Sequence, residues 1–412
     1  LRKNSEARLK RKNSAEPELA HEQASGQTTG HTTLGGDSVI GPTYFDIESL
    51  DLEGRGVARR EDGKVVFIEG ALPLERVRAQ INVRKAKWEE GVCTHVIKES
   101  SSRVKPACAY FGLKRTDCGG CKMQHLSAGA QVAIKQRVLE DNLWHIGKVK
   151  PGIIYRAVFG PEWGYRFRAR LSVRFVKARD HALVGFHERQ SRYIADISSC
   201  AVLPLHVSQL LLPLRELIGS LSVRESCPQI EVACGDEITA LVLRHLEPLS
   251  EYDKDILRTF SSQHNVQWWL QPGGTETIAL MQPNEPSKLA YSLPAYSLRM
   301  PYRPSDFTQV NPKINEILVH KALQYLQVNK NERVVDWFCG LGNFTLPLAT
   351  QAAHVLGVEG SEGLVQRARE NLTFNQARLG ELAPTHFVSQ NLFQMTPEVL
   401  WSNGSFDKWL ID

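Results

Sequence analysis

The segment Val334-Val335-Asp336-Trp337-Phe338-Cys339-Gly340-Leu341-Gly342-Asn343-Phe344-Thr345 carries the strongest local chemical signal in the chain. Gly340 and Gly342 let a backbone turn sharply at the end of a strand and approach a ligand closely. A helix after them would aim its amino-terminal N–H groups at the same place. Glu359 closes the next strand sixteen residues after Asn343, where one carboxylate accepts both hydroxyls of a ribose. NAD and S-adenosylmethionine both use this layout. Thr345 stands where the third glycine of a dinucleotide loop would fall. Asp336 suits the cationic amino group of methionine better than a pyrophosphate, so S-adenosylmethionine is favoured. Asn391, after the third strand, is in reach of an adenine, and Asp412 ends the fourth strand on the sulfonium side.

A second group of residues points to a metal. Cys108, Cys118 and Cys121 fall within fourteen residues, the last two bracketing Gly119-Gly120, and Cys200 lies far downstream. Converging thiols of this kind hold either zinc or an iron–sulfur cluster. The sequence has no second C-x-x-C to complete the usual zinc arrangement. Cys93, Cys227 and Cys234 are isolated and read as buried structural thiols. Cys339, inside the glycine loop, reads as a small residue packing a strand end rather than a nucleophile.

The elements that must position these groups differ along the chain. Over 306–412 strands alternate with helices, the first helix over 314–326, which predicts a parallel, doubly wound α/β sheet. Residues 105–305 read as a mixed α/β region with a helix over 128–144. Within it, residues 163–179 hold six basic residues and no acid. Arg166, Arg168, Arg170 and Arg174 share one face of a strand and Phe167, Ala169, Leu171, Val173 and Phe175 the other. That pattern predicts a buried side and a side offered to phosphates. Over 43–104, short alternating runs broken by Asp62-Gly63, Gly70 and Pro73 predict a small closed β-barrel. Residues 54–88 carry nine Lys/Arg against four acids, an electrostatic footprint for nucleic acid. Residues 1–42 read as a disordered polar tail, either simply solvated or an RNA-contacting arm, with six basic groups in the first twelve positions.

Composition sets the outer bounds. The 412 residues balance 50 Lys+Arg against 45 Asp+Glu, a net charge of +5, with 42% hydrophobic residues. At ~100–200 residues per domain the chain has room for about two to four domains. No apolar run approaches the ~18 residues of a membrane-crossing helix, so a helical span is excluded. Eight cysteines are too sparse for a secreted disulfide scaffold. The basic start runs into polar rather than apolar sequence, so no signal peptide is expected, and the chain is expected to be open at both ends.

The chain resembles the RNA 5-methyluridine methyltransferases over about residues 43 to 412. Five signatures carry the resemblance: LDLEGRGVARREDGKVVFIEGALPLE, CGGCKMQH, WGYRFRARLS, DFTQVNPKIN and DWFCGLGNFTLPLA. It implies a class I S-adenosylmethionine-dependent methyltransferase domain over 306–412, a TRAM barrel (OB-like) over 43–104 and a central domain over 105–305. It implies Cys108, Cys118, Cys121 and Cys200 as ligands of a [4Fe–4S] cluster, with 113–117 an insertion in the cysteine loop. Gln309, Phe338, Asn343, Glu359, Asn391 and Asp412 are its implied S-adenosylmethionine contacts. The implied activity is C5 methylation of a uridine in 23S ribosomal RNA by a cytoplasmic monomer with no membrane partner and no obligate protein partner. In such enzymes a nucleophilic Cys and a basic Glu follow the strand that ends at Asp412. Neither is in this sequence, so residues 1–412 are expected to be catalytically inactive and truncated at the carboxyl end. A nucleic-acid amino-methyltransferase and a non-catalytic RNA-binding remnant are the competing readings.

Overall fold

The computed structural model describes residues 43–411, apart from the Val399 side chain. The polar tail over 1–42 and the donor contact assigned to Asp412 lie outside the described residues. Strands β1 (Thr43–Asp46), β2 (Ser49–Leu50), β3 (Arg55–Arg59), β4 (Val65–Glu69), β5 (Arg76–Arg84) and β6 (Trp88–Lys98) form one sheet in the order β1-β5-β6-β4-β3-β2. Its two ends are consecutive parts of one bent strand. Ile47 N donates to Glu75 O beside β5, and Glu48 N donates to Val57 O of β3, both at 2.9 Å. The sheet therefore closes on itself around Phe45, Ile47, Ala58, Val66, Ile68 and Val77.

The positive excess expected on this barrel is reduced by acids that pairing brings in. Glu89 of β6 meets Arg60 at 2.8 Å and Lys64 at 3.5 Å. Arg55 is held by Asp51 and Glu90, each at 2.7 Å. All three acids lie outside residues 54–88, where the charge was counted.

After the cysteine loop comes a surface helix, α1 (Ala128–His145), none of whose side chains is buried. Then follow β7 (Arg168–Val176), β8 (His181–Gly185), α2 (Leu205–Gln209), α3 (Leu211–Ser220), β9 (Gln229–Cys234) and β10 (Thr239–Arg244). This part ends with α4 (Glu251–His264), β11 (Val266–Gln271) and β12 (Ala279–Leu280). The sheet order is β12-β11-β10-β9-β7-β8, with Leu171, Val184, Leu211, Leu214, Ile230 and Trp268 in the core between sheet and helices. Strand β7 keeps the expected alternation, Ala169, Leu171 and Val173 facing inward. Its arginine face is engaged in part, while Arg170 and Arg174 stay exposed. Arg170 is ion-paired at 2.8 Å with Glu231, directly opposite on β9. Arg168 donates to the carbonyls of Pro304 and Asp306 and lies over the Tyr302 ring. One acid missing along the chain, Glu231, is supplied across the sheet, because β7 is an interior strand.

The hairpin β13 (Ala290–Leu293) and β14 (Leu298–Pro301) leads into α5 (Pro312–Leu326), β15 (Arg333–Trp337), α6 (Thr345–Ala349) and β16 (His354–Glu359). The remainder is α7 (Glu362–Leu379), β17 (Thr385–Ser389), α8 (Pro397–Ser402) and β18 (Lys408–Ile411). Helix α5 starts slightly before its apolar periodicity because the Asn311 side chain accepts from Ile314 N at 3.2 Å and Pro312 takes the first turn. The four strands pair in parallel in the order β17-β16-β15-β18. Val334 to Trp337 are all buried, as a parallel strand covered on both faces requires. β16 and β17 lie on one side of β15 and β18 on the other, so a crevice opens at its carboxyl end. No helix among the described residues is long and apolar enough to cross a membrane.

Candidate functional site

The crevice at the end of β15 holds the loop 338–344. Phe338, Gly340 and Gly342 have φ of 64°, 55° and 96°, three left-handed positions in five residues that fold the chain back on itself. At φ 96° a side chain would be strained, which is what glycine is for. Glu359, at the tip of β16, ties this loop down. Its carboxylate accepts from Gly340 N at 3.1 Å and from Ser361 N at 2.9 Å. A carboxylate has about four acceptor positions, so Glu359 keeps capacity for two hydroxyls.

The structure redistributes the roles of its neighbours. Asp336 is fully buried and accepts from Thr345 Oγ1 at 2.6 Å. That bond braces the start of α6. Asn343 Oδ1 accepts from Tyr291 Oη at 2.8 Å and Asn315 Nδ2 at 2.9 Å, while its own Nδ2 donates to Asn315 Oδ1 at 2.9 Å. Sequence reasoning missed Tyr291 and Asn315, which lie on the hairpin and on α5; Asn315 closes the DFTQVNPKIN signature, whereas Tyr291 stands in no motif. Burial, then the neighbouring Tyr302, raises the Tyr291 phenol well above its ordinary range, so it stays a donor. Cys339 is buried, and desolvation followed by the charges of Asp336 and Glu359 pushes its thiol up. It packs the strand end, as read from the sequence.

Phe338 is 42% exposed on the loop. Asn391 stands after β17 at the same end of the sheet, its side chain accepting from Phe393 N at 3.0 Å. Gln309 is half-buried in a segment fastened from two sides. Arg168 of β7 grips Pro304 and Asp306, and Phe167 N donates to Val310 O at 2.8 Å. From α7, Arg367 Nε donates to the Asp306 carboxylate at 3.1 Å.

The cysteines meet elsewhere. Cys108, Cys118, Cys121 and Cys200 all line one small cavity, walled mainly by Phe111, Phe186, Ile197 and Val202. Gly119 N donates to His187 O at 2.8 Å and Cys118 N to Tyr110 O at 3.0 Å, which lays the loop on the segment after β8. Ser208 Oγ accepts from Cys200 N at 2.8 Å and presents the fourth thiol. A Cβ on Gly120 would stand 3.3 Å from Phe186 and 3.5 Å from Cys118 Sγ, so only glycine leaves the wall its present shape. Burial first, and the neighbouring thiolates in addition, raise the thiols of Cys118, Cys121 and Cys200. Among the described residues no three His, Cys, Asp or Glu are arranged to hold a metal ion, so the thiols ring the cavity without closing on one point. Cys93, Cys227 and Cys234 are buried, and burial pushes Cys227 and Cys234 up to about 12.

A cleft of ≈ 660 Å³ that sequence reasoning did not foresee separates the barrel from the cysteine loop, lined by Arg55, Phe67 and Glu90 on one side and Lys122, His187 and Arg189 on the other. Arg189 is ion-paired with Glu69 and also reaches Cys121 O at 3.4 Å.

A family model described as tRNA (uracil-5-)-methyltransferase matches residues 276–385. The 23S rRNA (uracil(1939)-C(5))-methyltransferase RlmD of Acidovorax sp. (strain JS42) is 60% identical over 375 residues, 90% of this chain and 77% of that protein. This chain belongs to the RlmD family of RNA (uracil-5-)-methyltransferases, enzymes of class 2.1.1. Other RlmD proteins agree: that of Albidiferax ferrireducens is 60% identical over 90% of this chain and 78% of its own. That of Cupriavidus pinatubonensis is 53% identical over 92% of this chain and 80% of its own. The structure of Pyrococcus abyssi tRNA (uracil-54, C5)-methyltransferase in complex with S-adenosyl-L-homocysteine aligns with a TM-score of 0.65 over 90% of this chain and 83% of that one. At 18% identity it shows that this RlmD-family chain shares the fold of a methyltransferase.

Proposed function

We propose that this chain acts in S-adenosylmethionine-dependent methylation of C5 of a uridine in 23S ribosomal RNA. The observation that carries the reading is the 60% identity over 90% of the chain to an enzyme so named. The glycine loop at the sheet's reversal point and the spare acceptor capacity of Glu359 support it. S-Adenosylmethionine would supply the methyl group as a sulfonium electrophile. Glu359 would accept the ribose hydroxyls, Asn391 would serve the adenine, and Gln309, Phe338 and Asn343, with Asp412 outside the described residues, would complete the set. Asn343 would act by holding the loop, since its amide is engaged by Tyr291 and Asn315. The barrel over 43–104, as a TRAM domain, and the central region over 105–305 would dock the RNA.

On the same reading Cys108, Cys118, Cys121 and Cys200 hold a [4Fe–4S] cluster. The donor set fits: four thiols share an apolar cavity. Thiolates around a single zinc sit about 2.3 Å from it and so about 3.8 Å apart, whereas a cluster spreads its ligands over several irons. Binding a cationic iron–sulfur core would displace to solvent the protons of thiols that burial otherwise keeps protonated.

C5 of uracil is a weak nucleophile until a thiolate adds to C6; the enolate so formed takes the methyl group at C5, a base then removes the C5 proton and the thiolate is eliminated. Among the described cysteines Cys93, Cys227, Cys234 and Cys339 are buried and the other four line the thiol cavity, which supports the reading that none of them is the nucleophile. The polypeptide of residues 1–412 is therefore expected to bind the donor without transferring methyl. Calorimetry with S-adenosylhomocysteine and transfer of labelled methyl to 23S ribosomal RNA test this. No binding heat sinks the donor reading, and measurable transfer sinks the assignment of the nucleophile.

A further inference from the structure

The wall of the thiol cavity contains one charged side chain, Arg166; the rest is thiol, aromatic, aliphatic or neutral polar. Thiolates around an iron–sulfur core leave a net negative charge. In an apolar cavity such an anion is costly unless a cation faces it. Two cations act on the thiols, Arg189 on Cys118 and Arg166 on Cys121. Arg189 brings no net charge, because it is ion-paired with Glu69, whose other oxygen takes Gln190 Nε2 at 3.2 Å. Arg166 makes no ion pair among the described residues. Its backbone N donates to Val202 O at 2.9 Å and its Nε to Arg168 O at 3.2 Å, which fixes the guanidinium at the cavity wall. Its neighbours on the same strand face are committed elsewhere, Arg168 to the 304–308 segment and Arg170 to Glu231.

We propose that Arg166 is the counter-charge of the thiolate cage, balancing the net negative charge of a bound iron–sulfur cluster. The proposal rests on the cluster reading above. A cation outside the ligand sphere favours the more negative, reduced state, since charge and hydrogen bonds around the sulfurs set a cluster's reduction equilibrium.

The test uses the full chain purified anaerobically as wild type, Arg166→Gln, Arg166→Lys and Arg170→Gln. Iron and sulfide are measured per chain. The one-electron reduction is then titrated with dithionite and followed by electron paramagnetic resonance. Arg166→Gln is expected to lower the reduction equilibrium constant about tenfold, about 59 mV for one electron, and to speed loss of iron to a chelator. Arg166→Lys should recover most of the effect, and Arg170→Gln should match wild type. Loss of the cluster in Arg166→Gln with retention in Arg166→Lys supports the same conclusion. Wild type without iron and sulfide overturns the cluster reading itself. A wild-type cluster with an unchanged equilibrium in Arg166→Gln, or an equal shift in Arg170→Gln, overturns the role of Arg166 alone. Weaker binding of a 23S RNA fragment by Arg166→Gln with the cluster unaltered does the same and makes Arg166 a phosphate contact.

Discussion

The thiol cavity draws its lining from residues between Cys108 and Val202 and walls it with aromatic and aliphatic side chains. The glycine loop is contained within residues 336–361 and offers backbone N–H groups and one carboxylate. The first is an apolar enclosure in which charge must be matched; the second is a polar crevice in which charge is already hydrogen-bonded. The difference shows how two sites of one chain can fail separately. Damage to the cavity should leave donor binding intact, and damage to the loop should leave the proposed cluster in place.

The largest separation is expected from Cys200→Ala, which removes a buried thiol of the proposed cluster site and should take iron content close to zero on metal analysis while S-adenosylhomocysteine still binds. Stoichiometric zinc without iron in the wild type would break the comparison at its metal end. Glu359→Ala is the reciprocal change. It strips Gly340 N and Ser361 N of a charged acceptor, each such bond being worth about 1.5–3 kcal/mol, so donor affinity should fall by about 10–100-fold in calorimetry with iron unchanged. Equal affinity in that variant would remove Glu359 from the site.

Acid should act on the cavity side first. His125 is 5% exposed, stacks on Phe111 at 5.6 Å, and neither ring nitrogen has a partner among the described residues. Desolvation, then Arg103, lowers its pKa from 6.5 to about 4. Below 6.5 the unfolded chain binds this proton and the folded chain does not. The contribution is thus fully present above pH 6.5 and lost as the pH falls towards 4, about 3 kcal/mol in all. His125→Leu should flatten that stretch of the stability–pH curve in urea unfolding; a curve as steep as wild type would place the acid sensitivity elsewhere. Smaller effects belong to the loop. Gly342→Ala forces a side chain to φ 96° and should cost about 1–2 kcal/mol in the same unfolding assay. Tyr291→Phe deletes one bond to Asn343, about 0.5–1.5 kcal/mol, and should weaken donor binding only a few-fold. A full loss of binding would mean that the Tyr291 hydroxyl does more than hold the loop.

Parts of this were readable along the chain. The loop turns where Gly340 and Gly342 stand, because conformational freedom is a property of the residue itself. The parallel sheet followed from buried apolar runs alternating with helices, and strand β7 from its period of two. Asn343 was a weaker case: its position at the loop was legible, but its amide's partners, Tyr291 and Asn315, are 52 and 28 residues away. The partners of the arginine strand were illegible for the same reason. Glu231, which neutralises Arg170, is 61 residues distant and becomes a neighbour only when β9 pairs with β7.

The sequence by itself determined which groups are present and how the backbone bends locally: four thiols of matching type, two glycines after a buried strand, an acid at the next strand's tip. Only the tertiary structure decided which charges are spent and which remain. Glu89, Glu90 and Glu231 cancel arginines that look free in one dimension, and Arg166 is left beside the thiols without an acidic partner among the described residues. Torsional preference acts between covalent neighbours, whereas Coulombic and hydrogen-bond partners are chosen by distance in space, which strand pairing sets.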